Sequence, residues 1–566
     1  MVQNKSFLSE MTWLANNLLR VSSPFRIYGL RSVRGVGRTR KRELETSEFW
    51  REMGQDELLS GAPELAKYQN MEEENVLGGS FKASRSCPDI VKMPSKEEIR
   101  KPKTSSVHTI IGMGENSNVI KKATLSSKEL ELEKKSTYKQ FVKNLKMELN
   151  PQVVTKDNQY LKVNNAVAML THLPYKEQLH LKQKKNSDVI EVLKNSSKGS
   201  SRVSSCKKGT IIGAYVREQY RCKDEFSVHL DIEGQPTVGF FVGGGNTGVV
   251  CVEPREVQVV KESHKRVAAA YQTIIRGSKL PPDLDLGPRL GGAPGVWGSL
   301  LVKSNQRGDL MARVSLCGSQ LDNGQLQCAR DEILRGFCNM ELHSLYIEYH
   351  GNCGNIKRSE LLHGEPYIEE NLLGRKILLG PDSFFQGHHA MAAILAKVVR
   401  SKLKPKGPAT LLDLCCGVGN FSLQLAENFR DCIGVDITDT SLAVKNASIN
   451  GLQNCEFVTG KVVNVISALV KDVRSTGAEV VAVVNPGRGG VDREVVEQLR
   501  SLPLLSSLVY VSCEPEDRQV VNNLISLVKQ EKKGKTEPFT LTEAIPIDMF
   551  PNTHHCEHVF VFRRKK

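Results

Sequence analysis

No stretch of this sequence holds the ~18 uninterrupted apolar residues that a bilayer-spanning helix requires, so no membrane partner is expected. The 14 Cys lack the regular spacing of a disulfide framework, which excludes a stapled, secreted scaffold and points to reduced thiols. Acidic residues are nearly missing from residues 1–42, where nine Lys/Arg face a single acid, Glu10. Net positive charge is missing from the other end of the chain. Of the formal +15, residues 1–208 carry +14 (37 basic, 23 acidic) and residues 209–566 only +1. Nucleic-acid binding by the C-terminal part therefore cannot be argued from net charge and has to come from local chemistry.

What is present is a chain of 566 residues, 40% of them hydrophobic, enough for two or three packed domains of roughly 100–200 residues. Residues 1–42 combine the basic cluster Arg38–Arg42 with apolar positions Phe7, Leu8, Met11, Leu14, Leu18 and Leu19 at near-helical spacing. Such a leader resembles a mitochondrial transit peptide, giving a matrix location; the alternative is a disordered basic arm in a nuclear or cytosolic protein. Residues 43–160 read as a low-order, linker-like region with a helix or two, such as 126–145. Residues 161–385 read as a central α+β domain of short β-rich segments, including 210–216, interrupted by helices near 255–276 and 328–342. From residue 386 on, and most clearly after Pro408, short apolar strands alternate with helices. That pattern predicts an α/β domain with a doubly wound parallel sheet and a ligand site at the carboxyl ends of its strands.

Asp413-Leu-Cys-Cys-Gly-Val-Gly-Asn-Phe-Ser-Leu423 closes the first of these strands with a Gly417-x-Gly419 turn and opens a helix at Asn420. The glycines let backbone approach a ligand closely. The next strand ends at Asp436, placed to accept hydrogen bonds from ribose hydroxyls. A dinucleotide fingerprint has a third Gly or Ala where Ser422 stands; an acid before a single Gly-x-Gly turn resembles instead the S-adenosylmethionine site of a class I, Rossmann-like methyltransferase. Three more clusters fall at strand ends beside it: Asn485-Pro-Gly-Arg-Gly-Gly490, Val511-Ser-Cys-Glu-Pro515 and Asp548–His558. Carbon 5 of a pyrimidine is a poor nucleophile, and methylating it requires a thiolate to add at C6 and a base to remove the C5 proton. Cys513 is the candidate nucleophile and Glu557 the candidate base, with His555 as its competitor.

Together, 413–423, 485–488, 512–515 and 548–557 resemble the signature motifs of the S-adenosylmethionine-dependent RNA uracil-5 methyltransferases, and Phe384-Phe-Gln386 resembles that family's motif ahead of the cofactor domain. Leu173–Gln178, Tyr220–Phe226 and Val238–Gly243 resemble the family's RNA-recognising domain, so the likeness runs over roughly residues 165–566. The resemblance implies Cys513 and Glu557 as catalytic pair, and Gln386, Asp413, Cys415, Gly417, Gly419, Asn420, Asp436 and Asn485 as S-adenosyl-L-methionine contacts. Arg488, Arg221 and Lys223, with Phe226, Phe240 and Phe241, are expected on the RNA side. The implied substrate is the T-loop uridine 54 of tRNA, with mitochondrial small-subunit ribosomal RNA as a further target, and the implied state is a monomer. The C-x5-C-x2-C run with which ribosomal relatives hold an iron–sulfur cluster is not here, so neither cluster nor metal is expected. Where the family has Asp-Pro-Pro-Arg, this chain has Asn485-Pro-Gly-Arg488; Asp436 replaces a Glu and Cys415 an aromatic. Those changes on the cofactor side support an alternative, a tRNA-binding folding chaperone with weak or lost transfer.

Overall fold

A computed structural model describes residues 137–149, 153–197, 201–243, 248–284, 292–317, 321–350, 357–530 and 537–564. The leader at 1–42 and the linker-like stretch up to 136 lie outside the described residues. Three helices come first, α1 (Tyr138–Leu149), α2 (Gln159–Val167) and α3 (Tyr175–Ser196), followed by the short α4 (Ser201–Ser204) and β1 (Lys207–Lys208).

The central sheet is built from β2 (Lys223–Leu230), β3 (Pro236–Gly243), β4 (Val249–Val252), β5 (Trp297–Ser304), β6 (Leu310–Cys317), β7 (Leu342–His350) and β8 (Lys357–Gly364), in the order β4-β3-β2-β5-β6-β7-β8. All its pairings are antiparallel except β6 with β7, whose connection is the crossover helix α6 (Asn323–Phe337). Between β4 and β5 runs α5 (Glu262–Gly277), and its Val267, Tyr271 and Ile275 meet Trp297, Leu300, Ile333 and Phe337 in one core. Phe226 belongs to that core and is fully buried, which removes it from the expected RNA surface; Phe241 is the exposed member of the aromatic set. A hairpin, β9 (Ile368–Leu372) and β10 (Arg375–Leu379), and α7 (His389–Lys402) then lead into the C-terminal sheet.

That sheet follows the alternation expected from the sequence. In chain order come β11 (Ala409–Leu414), α8 (Asn420–Leu425), β12 (Asp431–Asp436), α9 (Ser441–Ile449), β13 (Cys455–Thr459), α10 (Val462–Thr476), β14 (Glu479–Val484), α11 (Arg493–Ser501), β15 (Leu505–Ser512), α12 (Arg518–Val528), β16 (Thr540–Ile547) and β17 (Glu557–Arg563). Their order is β1-β16-β17-β15-β14-β11-β12-β13, with β11 to β15 parallel and β17 antiparallel between β15 and β16. Every residue of β11 is buried, and all but the first of β14, because helices cover both faces; this is why these strands read as continuous apolar runs and not as alternation. The strand order reverses between β11 and β14, which opens the crevice at their carboxyl ends.

One part of the expected division does not describe the packing. Helix α3 and β1 come from within 161–385, yet β1 pairs parallel to β16, and α3 places Val189, Ile190 and Leu193 in the core under the C-terminal sheet. The segment expected as a strand at 210–216 makes a single bridge, Ile212 to Ile547, and otherwise runs irregularly. A helix with as many Lys as α3 looks solvated on composition alone; burial of Lys182, Lys185, Gln178 and Asn186 along its inner stripe is what the composition hid.

Candidate active site

Because β11, β12, β14 and β15 are parallel, their final residues Leu414, Asp436, Val484 and Ser512 lie at one edge of the sheet. The antiparallel β17 brings its first residues to the same edge: Ser512 faces His558, so Glu557 stands level with Cys513, the residue just past the end of β15. Topology thus joins two residues 44 positions apart in sequence.

Asp413 is fully buried, and its Oδ2 accepts from the Ser422 backbone N–H at 2.9 Å and the Ser422 hydroxyl at 2.7 Å, fastening the start of α8 to β11. Its Oδ1 has no hydrogen-bond partner, and the same is true of Asn420 Oδ1. Burial pushes the Asp413 carboxyl up to about 6. Cys415 adopts φ +65°, a left-handed conformation that costs a β-carbon-bearing residue strain, and the N–H groups of Cys415 and Cys416 both donate to Val435 O. Burial raises the Cys415 thiol to about 12, so it stays protonated and serves as packing. Gly417 (φ +55°) has open space where a β-carbon would be, and its N–H donates to Asp436 Oδ2 at 2.8 Å. Gly419 opens α8 at φ +86°, with the Phe457 ring 3.1 Å from where a β-carbon would sit. The other Asp436 oxygen accepts from the Thr438 backbone and hydroxyl at 2.9 and 2.7 Å. Asp436 therefore ties the glycine turn to the end of β12, a role that the sequence did not reveal.

Gln386 is buried, on a loop that the central domain grips: Lys303 of β5 donates to Gly380 O at 2.8 Å and Ser383 O at 2.7 Å, and the Cys222 thiol donates to Gln386 O at 3.0 Å. Asn485 is half-buried at the end of β14, its backbone N–H donating to Leu414 O at 3.1 Å. Arg488, in the same loop, is exposed.

Burial raises the Cys513 thiol to about 11; the Glu557 carboxylate adds to the rise, and the Arg488 guanidinium opposes it. Glu557 is buried and pushed up to about 8 by desolvation, opposed by the Lys185 ammonium. His555, the competing base, is driven down to about 4 by burial and by Lys185, Arg488 and other cations around it.

Arg221 and Lys223 stand apart from this crevice in their contacts. Arg221 is committed to an ion pair at 2.8 Å with buried Asp224, which also bonds His264 at 2.7 Å, whereas Lys223 is exposed on β2. Leu173–Gln178, expected to help recognise RNA, instead clamps the 548–556 loop. Tyr175 donates to Asp548 at 2.9 Å; Gln178 and Asn552 exchange two hydrogen bonds at 2.9 Å, while Lys182 Nζ sits 2.6 Å from Asp548, both side chains wholly buried. These α3 residues are the ones that reading by motif missed, because their partners lie some 370 positions downstream.

With this geometry in place, comparison with known proteins is informative. Residues 354–565 match the family model "tRNA (Uracil-5-)-methyltransferase". The chain is 33% identical over 425 residues to the tRNA (uracil-5-)-methyltransferase homolog B of Homo sapiens, covering 71% of this chain and 83% of that protein. It is 32% identical to the homolog B of Danio rerio, over 71% of this chain and 87% of that one. Among solved structures, the Pyrococcus abyssi tRNA (uracil-54, C5)-methyltransferase in complex with S-adenosyl-L-homocysteine superposes with TM-score 0.51 and 19% identity, over 70% of this chain and 85% of its own.

Proposed function

Since the chain belongs to the tRNA (uracil-5-)-methyltransferase family, we propose that it transfers a methyl group from S-adenosylmethionine to C5 of a tRNA uracil, with Cys513 as nucleophile and Glu557 as base. The observation that carries this reading is the meeting of Cys513 and Glu557 at the sheet edge that also holds the glycine turn. The residues present suit the methyl donor. Asp413 Oδ1 and Asn420 Oδ1 are buried acceptors without a partner, and the empty side of Gly417 admits a ligand against backbone. When bound there, S-adenosylmethionine supplies an electrophilic methyl group.

The sulfur of Cys513 adds to C6, which loads the negative charge onto C5 and O4; C5 then takes up the methyl group. Glu557 removes the C5 proton, the C5–C6 double bond re-forms and the thiolate leaves. The raised values of both groups fit this order. Two anions side by side in a buried site repel each other, but the charge on sulfur vanishes once the bond to C6 is made, so Glu557 ionises beside a neutral thioether. Arg488, exposed and close enough to stabilise the thiolate, suits a contact with the uracil or a neighbouring phosphate. The target base has to leave its stack to reach both groups, at a cost of a few kcal/mol.

The test uses radiolabelled S-adenosylmethionine and two tRNA transcripts, one carrying the T-loop uridine 54 and one with cytidine there. Label should enter only the first. Cys513→Ala should abolish it, and Glu557→Gln should leave a covalent protein–RNA adduct on a denaturing gel, since elimination stalls. Normal methylation by both variants would overturn the assignment; tight tRNA binding without label in the parent protein would favour the chaperone reading.

A further inference from the structure

The candidate pair is embedded in an acidic surround. Cys513 is followed by Glu514 and Glu516, and Glu557 faces them from β17. Into this cluster α3 sends one ammonium. Lys185 is 1% exposed, with Nζ 3.8 Å from Glu514 and 3.9 Å from Glu516, and it lies 5.4 Å from the centre of the Tyr138 ring of α1. Tyr138 in turn donates its hydroxyl to His554 O, so the two N-terminal helices close over the 554–557 segment. Both carboxylate distances exceed hydrogen-bond length, which leaves Lys185 shared among several anions and bound tightly to none. Burying a lysine is costly unless it does something for the groups around it.

Resting on the uracil-methyltransferase reading, we infer that Lys185 is a positioning residue of the catalytic pair, a buried cation delivered by α3 that acts on the reaction through Glu557 and not through the RNA. The groups around Glu557 explain the need. Cys513 and Glu514 approach from the end of β15, Cys556, His555 and His558 from its own strand and loop, and Arg488 from the loop after β14, while Lys182 is neutralised by Asp548. Among the described residues, Lys185 is the cation whose charge counteracts burial at Glu557. It keeps the carboxylate available as a base near neutral pH.

The experiment compares full-length parent, Lys185→Gln and Lys185→Arg on a tRNA transcript and on the same transcript with 5-fluorouridine in the T-loop, each with S-adenosylmethionine from pH 6 to 9.5. Fluorouridine has no C5 proton, so its covalent adduct reports sulfur addition and methyl transfer without Glu557. For Lys185→Gln, adduct formation on fluorouridine should stay within about twofold of the parent. Turnover on uridine should fall about tenfold at pH 7 and recover toward pH 9, its rise with pH displaced upward by about one unit. Lys185→Arg should restore the parent profile. A superimposable profile, or equal losses on both transcripts, would overturn the inference. If Lys185→Gln does not fold, Glu514→Gln decides: with one competing carboxylate gone, the profile should move to lower pH, and an unchanged profile overturns the inference. A parent protein that forms no fluorouridine adduct would overturn the methyltransferase reading, and this inference with it.

Discussion

Asp413 shows how one buried carboxylate couples local folding to ligand binding. One oxygen is spent on Ser422 and the other is left bare, and burial raises the group to about 6. If the bare oxygen receives the cationic end of the methyl donor, the ionised form binds and the protonated form does not. Affinity for S-adenosylmethionine, followed by calorimetry, should be flat above pH 7 and fall about tenfold per unit below about 6; Asp413→Asn should be weak at every pH. Affinity that stays constant from pH 7 to 5 would show that Asp413 only holds α8 in place. The sequence disclosed this residue, Cys513 and Glu557 because each belongs to a contiguous motif. It did not disclose that Asp436 braces the glycine turn, since that depends on which way each carboxylate oxygen points.

Among elements, β11 through β15 and their helices were legible because a parallel strand covered on both faces is a short apolar run bounded by turn residues, and Cys455–Thr459 and Glu479–Val484 have the bounds the pattern gave. Helix α3 was not legible as part of the active domain. Its inner stripe is half polar, and a polar stripe is stabilising only against partners that pair with it, which here lie in the 548–556 loop. The Lys182–Asp548 pair therefore anchors the loop that ends in Glu557. Lys182→Met strands a buried carboxylate and should cost about 3–5 kcal/mol in urea unfolding, while Lys182→Met with Asp548→Leu should recover much of that loss. Equal destabilisation by the single and double variants would mean that the pair acts through the Tyr175 and Phe550 hydrogen bonds to Asp548 and Lys182 instead of through charge.

At the scale of the whole molecule, the helices and loops gathered over the sheet edge create a region that excludes water from ionisable groups, and that has a consequence for stability. His388, His554, His555 and His558 are all held below the ordinary histidine range by burial, the first and third to about 4 and the other two to about 3. In the unfolded chain each takes up a proton as pH falls through about 6.5, while in the folded protein each resists. The unfolded state thus binds more protons between pH 6.5 and about 4, and stability falls as pH drops through that window. Glu557 works in the opposite direction: its folded value of about 8 exceeds the unfolded one, so the folded state binds the extra proton and stability falls as pH rises from about 4.5 to 8. Four groups against one make the acid side the steeper. The melting temperature should therefore drop markedly from pH 6.5 to 4.5, and His558→Gln, which removes the most deeply buried of the four, should flatten the slope. Glu557→Gln should raise the melting temperature at pH 8 more than at pH 5, because only at the higher pH does folding hold a proton that the unfolded glutamate has released. A melting temperature in Glu557→Gln that moves equally at both pH values would place Glu557 in contact with water, and with it the site where the thioether is resolved.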